Sequence, residues 1–162
     1  MKTRKSCLPL MIISSSLVLL GLAGIFIYIP LAARRSYGEP SASLNTWQRF
    51  SYALELISNV GDLTQPRDLG GTEQLFVIED GETAYSISDR LVQDGLISNA
   101  RIFRVYLVWT GMDAYIQTGT YRLSPALSAE SIAGMLQSTT LSEVSFMILP
   151  GWRMEEVAAA LP

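Results

Sequence analysis

The sequence predicts an α+β protein: one N-terminal transmembrane helix, then a small β-α-α-β module, then the start of a second, incomplete β-α unit. Three observations carry this. Residues 8–33 are almost entirely apolar or small and hold no charge. From Leu75 onward, a short apolar run passes through a glycine turn into a helix-spaced pattern. Between and after these, apolar residues recur at three- and four-residue steps bounded by capping residues and glycines.

The apolar stretch is long enough to span a membrane. At about 1.5 Å per residue, roughly 20 helical residues cross a bilayer core. Residues 1–7 then form a short tail and residues 8–33 the span, in contact with lipid. Lys2, Arg4 and Lys5 with the terminal amine outnumber Arg34 and Arg35, so the positive-inside bias places the N-terminus in the cytoplasm and the rest of the chain outside the plasma (inner) membrane, in an extracellular or periplasmic space. A retained anchor is favoured over a cleaved signal. The apolar region exceeds the about 7–15 residues of a signal core, and Leu31 spoils a small-x-small site ending at Ala33. After Arg35 the chain has seven arginines, no lysine and all 15 acids, a formal charge of −8. Such a charge makes the domain a poor partner for nucleic acid or an anionic membrane surface, and no nucleic acid is expected as a partner. Cys7 is the only cysteine, so no intrachain disulfide can form.

Residues 34–74 read as a linker. Within it, Leu44, Trp47, Phe50, Leu54 and Ile57 mark one face of a helix near residues 44–58, with Asn45 or Ser43 as cap and Gly61 as terminator. The stripe is expected to pack on the module rather than lie on the membrane, because its polar face holds only Arg49 and Glu55 and no basic cluster. A second flexible stretch, residues 62–74, contains Pro66 and Gly70-Gly71.

Residues 75–142 form the module. Leu75-Phe76-Val77-Ile78 is a strand and Glu79-Asp80-Gly81 a turn. Thr83 caps a helix over residues 84–93 that buries Ile87 and Leu91 and stops at Gly95. Ser98 or Asn99 caps a second helix over residues 100–110, with Ile102, Phe103, Tyr106 and Leu107 inward and Gly111 at its end. Gly119-Thr120-Tyr121-Arg122-Leu123 is the next strand, broken by Pro125. Ser128 caps a third helix carrying Ile132, Ala133 and Leu136. Residues 143–162 then begin a further strand (144–149) and a helix after Pro150-Gly151, whose segment 154–162 is expected to fray. An echo links the two halves: Phe76, Ile78, Gly81, Ile87, Ser88 and Leu91 recur 70 residues later as Phe146, Ile148, Gly151, Val157, Ala158 and Leu161.

The run Phe76-Val77-Ile78-Glu79-Asp80-Gly81-Glu82-Thr83-Ala84-Tyr85-Ser86-Ile87-Ser88 resembles the opening of LysM glycan-binding modules. It departs from them at Glu82, Ala84 and Ser88. Downstream, Gly95-Leu96-Ile97-Ser98, Phe103, the Gly119–Leu123 strand, Ser128 with Ser131-Ile132-Ala133 and Leu136, and Pro150-Gly151-Trp152-Arg153 follow in order. Together they resemble the N-terminal half of the YceG-like endolytic murein transglycosylases. The resemblance implies a cytoplasmic tail, one span, a LysM-like subdomain and a catalytic domain beyond. Its activity is a lyase reaction: one carboxyl protonates the glycosidic oxygen and assists attack by the muramic 6-hydroxyl, leaving 1,6-anhydro ends. Where the family usually has Pro-Glu-Gly this chain has Leu149-Pro150-Gly151, and the family's essential glutamate falls beyond residue 162. The chain is therefore expected to be inactive alone, with no catalytic residue assigned.

Carboxylates present do not substitute. Glu79, Asp80 and Glu82 cluster at a turn, and Glu155 and Glu156 start a helix, settings that keep acids ionised rather than raising their pKa. The sequence has no histidine, which excludes histidine triads and histidine metal sites. Lys2 and Lys5, the only lysines, precede the span, so no pyridoxal-phosphate lysine is available; no cofactor or metal is expected. In LysM-like folds the sugar lies against the first turn and the loop before the second strand. Here that implies Gly81, Glu82, Thr83 and Tyr85 with Gln117 and Thr118, against the plainer reading that Gly81 and Thr83 simply build the turn and cap and that Tyr85 is half-buried. Trp109 and Trp152 are expected to be packing residues. Peptidoglycan glycan strands are the implied partner, with cell-wall synthesis proteins as further candidates. The alternative is a stand-alone envelope glycan-binding or scaffold protein without catalysis.

Overall fold

A computed structural model describes residues 8–137. The strand at 144–149, the following helix with its 154–162 segment, the second copy of the echo and Trp152 lie outside the described residues, as does the tail before Leu8.

The first helix, α1 (Leu8–Tyr37), runs four residues past the expected end of the span, with Arg34 and Arg35 in its last turn. Cations there complement the negative end of the helix dipole, so the arginines extend the helix rather than end it. From Ile13 to Tyr37 it is long and apolar enough to cross a membrane, with mean hydropathy 2.2. Its side chains are exposed over most of its length, but Ala33 and Tyr37 are buried in the core of the following domain.

The second helix, α2 (Thr46–Ser58), is capped by Asn45 in a reciprocal box. The Asn45 side chain accepts from the Gln48 N–H at 2.8 Å, and the Gln48 side chain accepts from the Asn45 N–H at 3.0 Å. Gly61 does not end this helix. Asn59 does, its N–H reaching the Glu55 and Leu56 carbonyls and its side chain donating to the Glu55 carbonyl at 2.8 Å. Gly61 instead falls inside a short helix, α3 (Val60–Thr64). The buried face of α2 also differs from the expected stripe: Ala53 and Leu56 are buried, whereas Trp47, Leu54 and Ile57 are exposed.

Strand β1 (Gln74–Ile78) pairs antiparallel with β2 (Gly119–Leu123), in register from Gln74↔Leu123 to Ile78↔Gly119. Side-chain alternation buries Phe76 and Ile78 on β1 and Tyr121 and Leu123 on β2, setting Phe76 opposite Tyr121 on the covered face. A two-stranded sheet is marginal alone. It is covered by α4 (Ala84–Gln93), α5 (Ala100–Thr110) and α6 (Ala129–Met135), whose inward residues join one core with the strands. The α+β class and the β-α-α-β order match the sequence reading.

Caps and stops explain the boundaries. Thr83 and Ser128 accept from the Ser86 and Ser131 N–H groups, each at 3.2 Å. Asn99, not Ser98, caps α5 by accepting from Arg101 and Ile102. After α4, the Leu96 N–H returns to the Leu91 carbonyl at 2.8 Å and the Gly95 N–H to Val92, the double bond pattern that closes a helix at a glycine. Helix α5 is buried on more sides than its spacing predicts: Val105 joins the expected Ile102, Phe103, Tyr106 and Leu107, and Trp109 is buried as the packing residue expected.

Residues of the expected linker enter the same core: Leu44, Ala53, Leu56 and Leu63 pack with the module. Polar staples reinforce this. Arg67 donates to the Ile97 carbonyl at 2.7 Å, Asn99 to Asp62 at 2.9 Å, and Arg101 pairs with Glu55. The anchor therefore leads into the module through a packed segment.

Candidate functional site

The sheet register positions the candidate site. Because Ile78 pairs with Gly119 at the end of the ladder, the turn leaving β1 and the loop entering β2 emerge side by side. Gly81, Glu82 and Thr83 follow the first of these two ladder ends, and Gln117 and Thr118 precede the second.

Within the turn, Gly81 has φ +82°, a left-handed conformation that favours glycine, with open space around it. Glu82 is engaged internally. Its carboxylate accepts from the Glu79 N–H at 3.0 Å and from Arg90 at 2.6 Å. Arg90 also donates to the Val77 carbonyl at 2.7 Å and lies over the Phe76 ring at 4.7 Å. Arg90 thus clamps strand, turn and helix together, a role absent from the sequence reading because it depends on contacts across the strand–turn–helix unit. Thr83 is occupied as the cap of α4.

Burial works against ionisation of Glu82, but the hydrogen bonds from Arg90 and the Glu79 N–H and the attraction of Arg90 outweigh it, so its carboxyl sits below its usual 4.5. A lowered folded pKa gives stability that is complete above the unfolded value and is lost as pH falls through the folded one. Glu82→Gln is expected to lower unfolding stability by about 0.5–1 kcal/mol at neutral pH, the scale of a partly exposed pair. The difference should vanish in acid, where both chains carry a neutral side chain. Urea unfolding at the two pH values checks this. Glu130, in the first turn of α6, has the opposite sign: burial raises its carboxyl, so it weakens the fold as pH rises past the unfolded value.

On the second loop, the Gln117 N–H donates to the Leu136 carbonyl at 3.0 Å, and the Tyr121 hydroxyl donates to the Gln117 carbonyl at 2.6 Å. The backbone is held rigid while the Gln117 and Thr118 side chains remain exposed. That is a suitable arrangement for offering polar groups to a ligand without reordering the loop.

Tyr85 is exposed rather than half-buried. Its ring carries the Arg104 guanidinium at 4.2 Å, and Arg104 is held by Asp89 at 2.8 Å. It borders a hollow of about 430 Å³ shared with Tyr52, Arg101, Arg104, Val105 and Val108. This hollow forms where α2 meets the module, and no motif along the chain signals it. Two tyrosines and two arginines suit a polar, ring-shaped ligand such as a sugar.

The architecture is that of an α+β module joined to a helix able to span a membrane. A family model, the YceG-like family, matches residues 76–162, more than half of the chain. The chain belongs to the YceG-like family, a family linked to peptidoglycan transglycosylases. No curated protein and no solved structure matches it.

Proposed function

We infer that the chain is the membrane-anchored, envelope-facing N-terminal portion of an endolytic peptidoglycan lytic transglycosylase, holding glycan near the membrane for a catalytic glutamate supplied from outside residues 1–162. The observation that carries this reading is family membership over residues 76–162, and the pairing of Ile78 with Gly119, from which the turn at 79–83 leaves and into which the loop at 117–118 leads, supports a shared glycan-contacting surface. Backbone groups of these loops would bond N-acetyl amides, and Tyr85 would contribute a ring edge or face. The chain would work in cell-wall synthesis, where new strands leave the membrane. The rigid junction between α1 and the module supports this, because it fixes the height of the loops above the bilayer.

Co-sedimentation of the detergent-solubilised chain with purified peptidoglycan tests the reading. Retention is expected, with a several-fold loss on replacing Gln117 and Thr118 together by alanine. Absence of retention would remove glycan binding by this module.

A further inference from the structure

We propose that the N-terminal turns of α2 dip into the headgroup–acyl boundary of the same bilayer that α1 crosses. This rests on the reading of α1 as a span. Phe26, inside the apolar part of α1, stacks on Phe50 with ring centroids 4.6 Å apart, and Trp47 adjoins Phe50 at 5.9 Å. Near the other end of α2, the Tyr37 hydroxyl donates to the Leu56 carbonyl at 3.4 Å. Phe26 thus meets the start of α2 and Tyr37 its end, so α2 climbs alongside α1 in the same sense. Phe26 lies about 12 Å below Arg34 along the helix. With Arg34 and Arg35 at the phosphate level, the start of α2 lies within the lipid boundary, where amphipathic helices bury their apolar faces by about 5–10 Å.

The uncovered face of α2 fits that position. Trp47, Leu54 and Ile57 share one side of the helix and are 68, 44 and 39 % exposed. The opposite side, through Ala53 and Leu56, is sealed against the domain core. Lipid is the occupant because Phe50, on this side of α2, stacks on Phe26 of the exposed apolar stretch of α1. Where α1 and the chain entering α2 diverge, Arg34, paired with Glu39, and Arg49 line a hollow of about 460 Å³ with Ile27, Leu31 and Pro40. A tryptophan at this level also matches the aromatic enrichment of membrane interfaces.

Spin labels read the position directly. In the full chain carrying Cys7→Ser and reconstituted in phosphatidylglycerol–phosphatidylethanolamine nanodiscs, single substitutions Trp47→Cys, Leu54→Cys and Ile57→Cys are labelled and compared with Leu20→Cys in α1 and Leu69→Cys in an exposed loop. Collision with oxygen over collision with a water-soluble nickel chelate is expected to be several-fold higher at Trp47 than at Leu69, and to fall through Leu54 to Ile57 as α2 climbs out of the boundary. If Leu20 is lipid-exposed while the α2 sites behave like Leu69, the interfacial helix is wrong and the span stands. If the α2 sites are shielded from both reagents, a protein surface covers them and the proposal also fails. Should Leu20 itself behave as aqueous, the span fails and takes the proposal with it.

Discussion

Replacing Trp109 by alanine is expected to destabilise the chain by about 3–5 kcal/mol, the range for deleting a fully buried aromatic side chain. Trp109 has no solvent exposure. Its indole N–H donates to the Gly38 carbonyl at 3.3 Å, and its own carbonyl accepts from the Ser41 N–H at 2.6 Å. It therefore locks the chain leaving the anchor onto α5. Truncation removes ring and donor together, leaving a cavity and an unpaired carbonyl. Urea unfolding in micelles should show the loss, and limited proteolysis should show new cleavage near residues 38–45. A change below 1 kcal/mol would mean that the anchor junction is not part of the core.

The second large effect is expected at Gly71. A Cβ there would overlap the Cγ of Pro125 and lie 3.0 and 3.1 Å from its Cδ and Cβ. The pyrrolidine ring cannot swing away, and its surroundings are tied down. The Asp68 N–H donates to the Pro125 carbonyl at 3.0 Å, and the Ser124 hydroxyl donates to the Gly71 carbonyl at 3.0 Å. Gly71→Ala should cost at least the upper end of the roughly 1–3 kcal/mol typical of overpacking. Gly70→Ala, whose Cβ would meet only the Asp68 carboxylate at 3.6 Å, serves as the matched control with a small effect. Thermal unfolding of the two variants separates them; equal midpoints would contradict the close approach.

Local chemistry made much of the module legible. Thr83, Ser128, Gly95 and Gly111 mark helix ends by mechanisms that act within a few residues, and all four hold. The alternation in Phe76 and Ile78 likewise identifies the covered face of β1. What was not legible depends on distant partners. Of the stripe, Trp47, Phe50, Leu54 and Ile57 lie on α2 while Leu44 precedes its cap and is buried, and on the helix it is small Ala53 and neighbouring Leu56 that enter the core where α1 and α5 pack against α2. Gly61 looked like a terminator until Asn59, which can bond its own helix end, closed α2 first.

The candidate site divides the same way. Gly81 and Thr83 have turn and cap roles readable from their types. The occupation of Glu82 by Arg90, the covering of Tyr85 by Arg104 and the hollow beside Tyr52 require residues from separate elements to converge. Gln117 and Thr118 gain their position only from the strand register.

Amide hydrogen exchange on the full chain in micelles, with and without soluble peptidoglycan glycan chains, tests the central claim most directly. The account predicts slowed exchange at residues 79–85 and 117–119 and little change in α1 and α6. Unchanged exchange at both loops, with saturating glycan present, would contradict it.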